Sequence, residues 1–193
     1  TTSASFSVDM AIGAVDGNTV SEAVSTAYGY QMDLSTSFTG EDTLAVAIDA
    51  GAGAASLGEL DLNATDGDAL IVDGITYTFP VGDKLTLLVG DSTSGSALFS
   101  TACVYGGFTN TLDDCGNASS AITATTHSVF ADGTVGFSAS YDIGNGFTGA
   151  FGYNGQGTDN AGLGTEEGLD FYAGQLTYTA DSYGASVTYA NLD

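Results

Sequence analysis

The side chains that could do chemistry in this sequence are almost all carboxylates. Asp and Glu together number 24, whereas Lys and Arg together number 1, and the formal net charge is -23. Nucleic acid and anionic lipid headgroups are bound through Lys or Arg, so this charge excludes both as direct partners. Cations are the ligands that it favours, and we expect no nucleic-acid partner.

Enzymatic chemistry is not indicated by the remaining residues. His127 is the only histidine, and no G-x-S-x-G motif accompanies it, so a nucleophile and base cannot be paired from the pattern. Phosphate-binding glycine motifs are also missing, and the acids show no pairing typical of a glycosidase. We therefore predict that the chain is not an enzyme and uses no cofactor, with weak binding of calcium at an acidic loop as the one alternative left open.

One stretch is a weak candidate for such a calcium loop. "DLNATDGD", residues 61–68, places Asp61, Asn63 and Thr65 at alternating positions. The glycine comes one position late, at 67, and Val72 stands where a bidentate Glu would close the site. A solvated Asp-Gly loop is the favoured interpretation.

The two cysteines indicate a disulfide bond rather than a metal or redox site. Cys103 and Cys115 enclose "VYGGFTNTLDD", with no His nearby and no C-x-x-C spacing. A disulfide that closes this loop is the favoured prediction. It would imply an oxidising compartment such as a periplasm or a cell surface.

The elements that must position the acids are β-strands. Apolar residues recur at every second position, as in Phe6, Val8, Met10 and Ile12, and the same period continues to the end of the chain. It predicts about nine or ten strands in a single domain, 1–193. Gly and Asp mark short turns at 40–42, 81–83, 142–146 and 180–182, and longer polar connections at 16–22, 51–68, 91–133 and 155–168.

The face opposite the apolar one carries Ser, Thr, Gly, Ala and an occasional Asp. A soluble sandwich normally exposes Lys, Glu and Arg there, whereas charged residues are only 13% of this chain. Small polar residues suit the lining of a pore, and the apolar face would then meet lipid. The alternation itself leaves open an antiparallel transmembrane β-barrel and a secreted β-sandwich. The N-terminus "TTSASFSVDM" has no signal-peptide pattern, so the chain is either mature or a fragment.

A pore selects ions through the charges that line it, and acids without bases favour cations. The candidate pore-lining acids stand on the non-apolar face of strands or in the long Cys-bearing loop. They are Asp9, Asp33, Asp49 and Asp170 on strands, and Asp113 and Asp114 in the loop. The competing interpretation is that these are solvated acids of walls and turns with no individual importance.

Four stretches resemble the outer-membrane porins of cyanobacteria. They are "YQMDLSTSFTGEDTLAVAIDAG" (30–51), "ITYTFPVGDKLTLLVG" (75–90), "GTVGFSASYDIGNGFTGAFGYNGQG" (133–157) and "EGLDFYAGQLTYTADSYGASVTYAN" (167–191). The resemblance implies an outer-membrane barrel of a Gram-negative-type cell, passive diffusion of ions or small solutes, a homotrimer and outer-membrane lipid as partner. It also implies that the long loop folds inward, and that Lys84 and Pro80 mark an aqueous rim.

The chain departs from that family's pattern in three respects. Members carry a surface-layer-homology segment and a coiled coil before the barrel, their barrels are about twice as long, and outer-membrane barrels usually end in an aromatic residue, whereas this chain ends "VTYANLD". We therefore expect the N-terminal half of a barrel, or a shortened relative completed by other chains. The rival hypothesis is a secreted, acidic β-sandwich subunit of a surface fibre or layer, located extracellularly and assembled by strand donation.

Overall fold

The computed structural model describes residues 1–53, 68–93, 95–100, 134–156, 162–166 and 168–192. Within these ranges the regular structure consists of nine strands. They are β1 (Thr2–Gly13), β2 (Ser25–Thr36), β3 (Thr43–Ala52), β4 (Ile71–Val81), β5 (Leu85–Asp91), β6 (Thr134–Gly144), β7 (Phe147–Gln156), β8 (Asp170–Thr179) and β9 (Gly184–Leu192). All are antiparallel in one sheet, in chain order. The predicted all-β class is confirmed, while the closed barrel and its place in a membrane stay predictions.

No helix in the described part of the chain is long and apolar enough to cross a membrane. The residues group into two compact units, and the single domain over 1–193 stays a prediction. The first unit contains Thr1–Thr36 and the described residues of 45–74. The second contains Ser37–Leu44 and the described residues of 75–192.

In the first unit, β1 and β2 pair over their full lengths, from Thr2 opposite Thr36 to Gly13 opposite Ser25. Because successive side chains of a strand point to opposite faces, the register places two sets of side chains on opposite faces of the strand pair. One face is apolar and carries Phe6, Val8, Met10 and Ile12 from β1, with Tyr28, Tyr30, Met32 and Leu34 from β2. The other face is polar and carries Ser3, Ser5, Ser7 and Asp9 from β1, with Gly29, Gln31, Asp33 and Ser35 from β2.

In the second unit, strands β5 to β9 pair in sequence, and β5 also pairs with β4 from Ile75 to Val81. Their apolar face contains Val89, Phe137, Ala139, Tyr141, Phe147, Phe151, Tyr172, Leu176, Val187 and Tyr189. Their small-residue face contains Gly90, Gly136, Ser138, Ser140, Ala150, Gly152, Asn154, Phe171, Ala173, Gln175, Thr177, Thr188 and Ala190.

All four of the predicted short turns join strands that are neighbours in the sheet. Between β6 and β7 the residues Gly144, Asn145 and Gly146 have φ of 97°, 55° and 82°. That left-handed conformation favours Gly and Asn, which explains the sequence of this turn. The β4–β5 turn uses Gly82 at φ 63°, with Lys84 exposed beside it.

The connection from β2 to β3 is organised by one carboxylate. Asp42 is 3% exposed and accepts hydrogen bonds from the hydroxyl of Ser37 at 2.6 Å, from the backbone N–H of Thr39 at 2.8 Å and from the hydroxyl of Tyr77 at 2.8 Å. The Ser37 hydroxyl and then the Thr39 N–H are the largest causes that hold the pKa of Asp42 well below its usual range. The turn therefore depends on an ionised Asp42.

Candidate functional site

A short stretch of chain after β5 lies on the small-residue face. Its described part, Thr93 with residues 95–100, is called the wall-bound segment here. At its start the backbone N–H of Gly95 donates to Oδ1 of Asn154 at 2.5 Å, and Nδ2 of Asn154 donates to the carbonyl of Thr93 at 2.7 Å. The oxygen and the nitrogen of a single side-chain amide thus both attach the segment to β7.

The far end of the wall-bound segment is fastened to β8 in the same way. Oε1 of Gln175 accepts the backbone N–H of Ser100 at 2.8 Å, and Nε2 of Gln175 donates to the Ser100 carbonyl at 3.0 Å. Between the two amides, the N–H of Leu98 donates to the hydroxyl of Ser138 on β6 at 3.3 Å. Three adjacent strands therefore hold the segment.

An apolar cluster lies beneath the segment. Phe99 packs with Phe171 and Ala173, and all three are buried, with Ala150 and Ala190 around them. This cluster of buried apolar residues explains why the small-residue face includes a phenylalanine: the side chain is covered by the chain's own segment.

The close approach of the segment requires glycine in the wall. A Cβ placed at Gly152 would overlap the carbonyl oxygen of Gly95, and one at Gly136 would lie 2.7 Å from the carbonyl oxygen of Thr93. Both glycines face the segment from neighbouring strands, where Gly136 is opposite Asn154 and Gly152 is opposite Ser138. Glycine in a strand interior often marks such an approach of another backbone.

Two of the predicted pore-lining acids lie on the polar face of β1 and β2. Asp33 is opposite Ser5, whose hydroxyl donates to Oδ2 of Asp33 at 3.4 Å, and Nε2 of Gln31 donates to its Oδ1 at 2.9 Å. Asp9 is exposed opposite Gly29 on the same face. The result is a row of hydroxyl, amide and carboxylate groups along one side of this strand pair, which could contact a hydrated cation.

Asp49 and Asp170 occupy different surroundings. Asp49 is 1% exposed, in the middle part of β3. Asp170 is 4% exposed and accepts hydrogen bonds from the hydroxyl of Tyr153 at 2.5 Å and from the N–H of Gly164 at 3.3 Å. It lies on the side of β8 that carries Tyr172, the apolar face, whereas the sequence placed it on the opposite side.

Several predicted site residues lie outside the described residues. These are Asp113 and Asp114, Cys103 and Cys115, and Asp61, Asn63 and Thr65. From the calcium-like stretch only Asp68 is described, and its carboxylate accepts a hydrogen bond from the hydroxyl of Tyr28. No group of three or more His, Cys, Asp or Glu within the described ranges could hold a metal ion.

The apolar face of the second unit is exposed rather than covered. Leu176 is 51% exposed, Val187 76% and Tyr189 74%. Together with Tyr141 and Phe151 they border a shallow groove of about 740 Å³. A contiguous exposed apolar surface of this kind is typical of contact with a membrane or another protein.

The residues that fasten the wall-bound segment were not predicted as site residues. Asn154 and Gln175 are polar amides on a face made mostly of Gly, Ala, Ser and Thr, and that contrast was the available signal. Chemically, this face can bind backbone through hydrogen bonds, and the carboxylates on the polar face of β1 and β2 can attract cations. Comparisons with protein-family models, with curated proteins and with solved structures found no match.

Proposed function

We propose that this chain forms the wall, or half of the wall, of an outer-membrane β-barrel channel through which small solutes, chiefly inorganic cations, diffuse passively. The observation that carries the proposal is the division of the second unit's sheet into two unlike faces. One face is apolar and exposed, and the other consists of small and polar residues with a segment of chain bound across it. In a membrane barrel the first would contact lipid and the second would line the passage.

The polar face of β1 and β2 supplies the proposed preference for cations. Asp9 and Asp33 stand on it among Ser and Gln side chains, and the described residues of 1–36 contain no Lys or Arg. Carboxylates without neighbouring bases raise the local concentration of cations in a narrow aqueous passage. The proposal includes no chemical reaction. In the proposed arrangement, outer-membrane lipid surrounds the barrel. The resemblance to cyanobacterial porins implies a homotrimer.

The test is single-channel conductance in a planar bilayer under a salt gradient, with protein taken intact from its native envelope. We expect discrete steps and a cation-selective reversal potential. Asp9→Asn combined with Asp33→Asn should move that potential toward zero, because two carboxylates leave the lining. Asp181→Asn is the matched control, since Asp181 is an exposed acid in the β8–β9 turn. Absence of steps would reject the channel, and an unchanged potential in the double variant would reject these two acids.

A fibre subunit assembled by strand donation is the second candidate. The observation in its favour is β1, which exposes the side chains of both its faces from Thr2 to Met10. A strand that stands at the end of the sheet's strand order, as β1 does, can pair with a strand of another subunit through its backbone N–H and C=O groups. Pure, folded protein that stays in solution without detergent and gives no conductance would support the fibre over the channel.

A further inference from the structure

We propose that Asn154 and Gln175 are positioning residues, which fix the wall-bound segment across the small-residue face and thereby set the width of the passage. The part of this inference that concerns width rests on the proposed channel. The attachment of the segment can be measured on the folded protein without any conductance.

The two side chains share a geometry that few other residues could supply. Each uses its carbonyl oxygen to accept a segment N–H, from Gly95 in one case and Ser100 in the other, and its NH₂ group to donate to a segment carbonyl. A side-chain amide carries a donor and an acceptor in one plane, whereas a carboxylate only accepts. Each amide therefore pairs with the segment backbone much as a neighbouring strand would.

The surroundings of Gln175 fix its orientation. The hydroxyl of Thr177 donates to its Oε1 at 3.1 Å, and its Nε2 donates to the hydroxyl oxygen of Thr188 at 3.0 Å. Gln175 is buried, as is Asn154, so an amide that lost its segment partners would leave polar atoms unsatisfied. This penalty favours the attached state of the segment over a detached one.

The attachment changes what a solute would meet in the passage. The segment covers Phe171 and Ala173, so these residues do not line the passage. The exposed residues of the segment, Ala97 and Ser100, replace them. The amide pair therefore gives the channel a fixed narrow section instead of a freely moving loop.

Two nearly isosteric variants test the role of the amides, namely Asn154→Asp and Gln175→Glu. Each keeps the shape and one acceptor oxygen but replaces the NH₂ group by oxygen. At pH values where the new acid is ionised, that oxygen faces the carbonyl of Thr93 or Ser100 and repels it. When protonated, the acid can donate a hydrogen bond again. A role in packing alone would not depend on pH in this way.

The first readout is hydrogen exchange of the Gly95 and Ser100 amides, expressed as a ratio to the wild type at the same pH. We expect each variant to speed exchange of its own partner amide roughly 5- to 30-fold at high pH, the effect of one or two lost hydrogen bonds, and to approach the wild type at low pH. Asn145→Asp, in the exposed β6–β7 turn, is the matched amide-to-acid control and should stay near the wild type at both pH values.

The second readout is conductance of the same variants in a planar bilayer. At high pH we expect larger or noisier steps than those of the Asn145→Asp control. Unchanged exchange at Gly95 and Ser100 would overturn the positioning role whether or not the protein conducts. Faster exchange with unchanged conductance would overturn the link to width. A wild type that never conducts would reject the proposed channel and with it that link, while the exchange ratio would still decide the attachment.

Discussion

Replacing Gly152 by alanine should detach the wall-bound segment while the side-chain amides of Asn154 and Gln175 remain in place. The φ of Gly152 lies outside the left-handed region, so the backbone accepts alanine there. The new Cβ would overlap the carbonyl oxygen of Gly95 and lie 3.3 Å from the ring of Phe99. Overpacking of this kind costs about 1–3 kcal/mol, which changes the ratio of detached to attached segment by roughly 5- to 150-fold.

The assay is hydrogen exchange of the backbone N–H groups of Gly95 and Ser100 in detergent micelles, since both groups exchange only after the segment detaches from the sheet. Gly174→Ala on β8 is the matched control, because a Cβ there has the Ala150 carbonyl oxygen at 3.9 Å as its nearest neighbour. Its effect should be less than about 0.5 kcal/mol. Equal exchange in the Gly152→Ala and Gly174→Ala variants would refute the argument that the segment rests on Gly152.

Two further predictions concern the turn and the apolar face. The pKa of Asp42 is lowered in the folded protein, with the Ser37 hydroxyl as the largest cause, so its contribution to stability is complete above the unfolded pKa of about 3.9 and is lost as pH falls through the folded value. The unfolding midpoint of Asp42→Asn should therefore lie below that of the wild type by a constant amount from pH 7 to about pH 5, and the difference should shrink only in stronger acid; a difference that vanishes by pH 5 would contradict this. Val187→Arg should impair folding into lipid vesicles by about 2–4 kcal/mol if Val187 faces the bilayer midplane, whereas Ser186→Arg, on the opposite face of β9, should not. Equal tolerance of both substitutions would favour the soluble fibre subunit.

The strands and hairpins could be predicted because their signals are local. Alternation of Phe6, Val8 and Met10 specifies two faces, and the turn "DIGNG" carries Gly and Asn where the backbone needs positive φ. The attachment of the segment could not be predicted, because Asn154 contacts Gly95 across 59 residues and Gln175 contacts Ser100 across 75. A local pattern of residues carries no information about which distant residues come into contact.

The prediction for Asp170 was wrong about the face for the same physical reason. Phe171 and Ala173 are apolar, so the sequence suggested that their side of β8 was the apolar face and that Asp170 pointed the other way. In the structure, Phe171 and Ala173 are buried beneath Phe99 of the segment, and Asp170 shares its face with Tyr172. Alternation separates the two faces of a strand, but it does not tell which of them another part of the chain covers.

The distribution of acids explains why β1 and β2 should be tested first for ion selection. Among the described strand residues of the second unit, the acids lie at or near strand ends. Asp91 on β5 and Asp142 on β6 are exposed, whereas Asp170 on β8 is buried. Asp9 and Asp33 instead lie within strands of the first unit, on a polar face. Charges inside an aqueous passage act on a permeating ion at close range, whereas those at exposed strand ends are screened by salt within about 10 Å. Replacement of Asp9 and Asp33 should therefore alter the reversal potential more than replacement of Asp142, although each exchange removes carboxylate charge from the same chain.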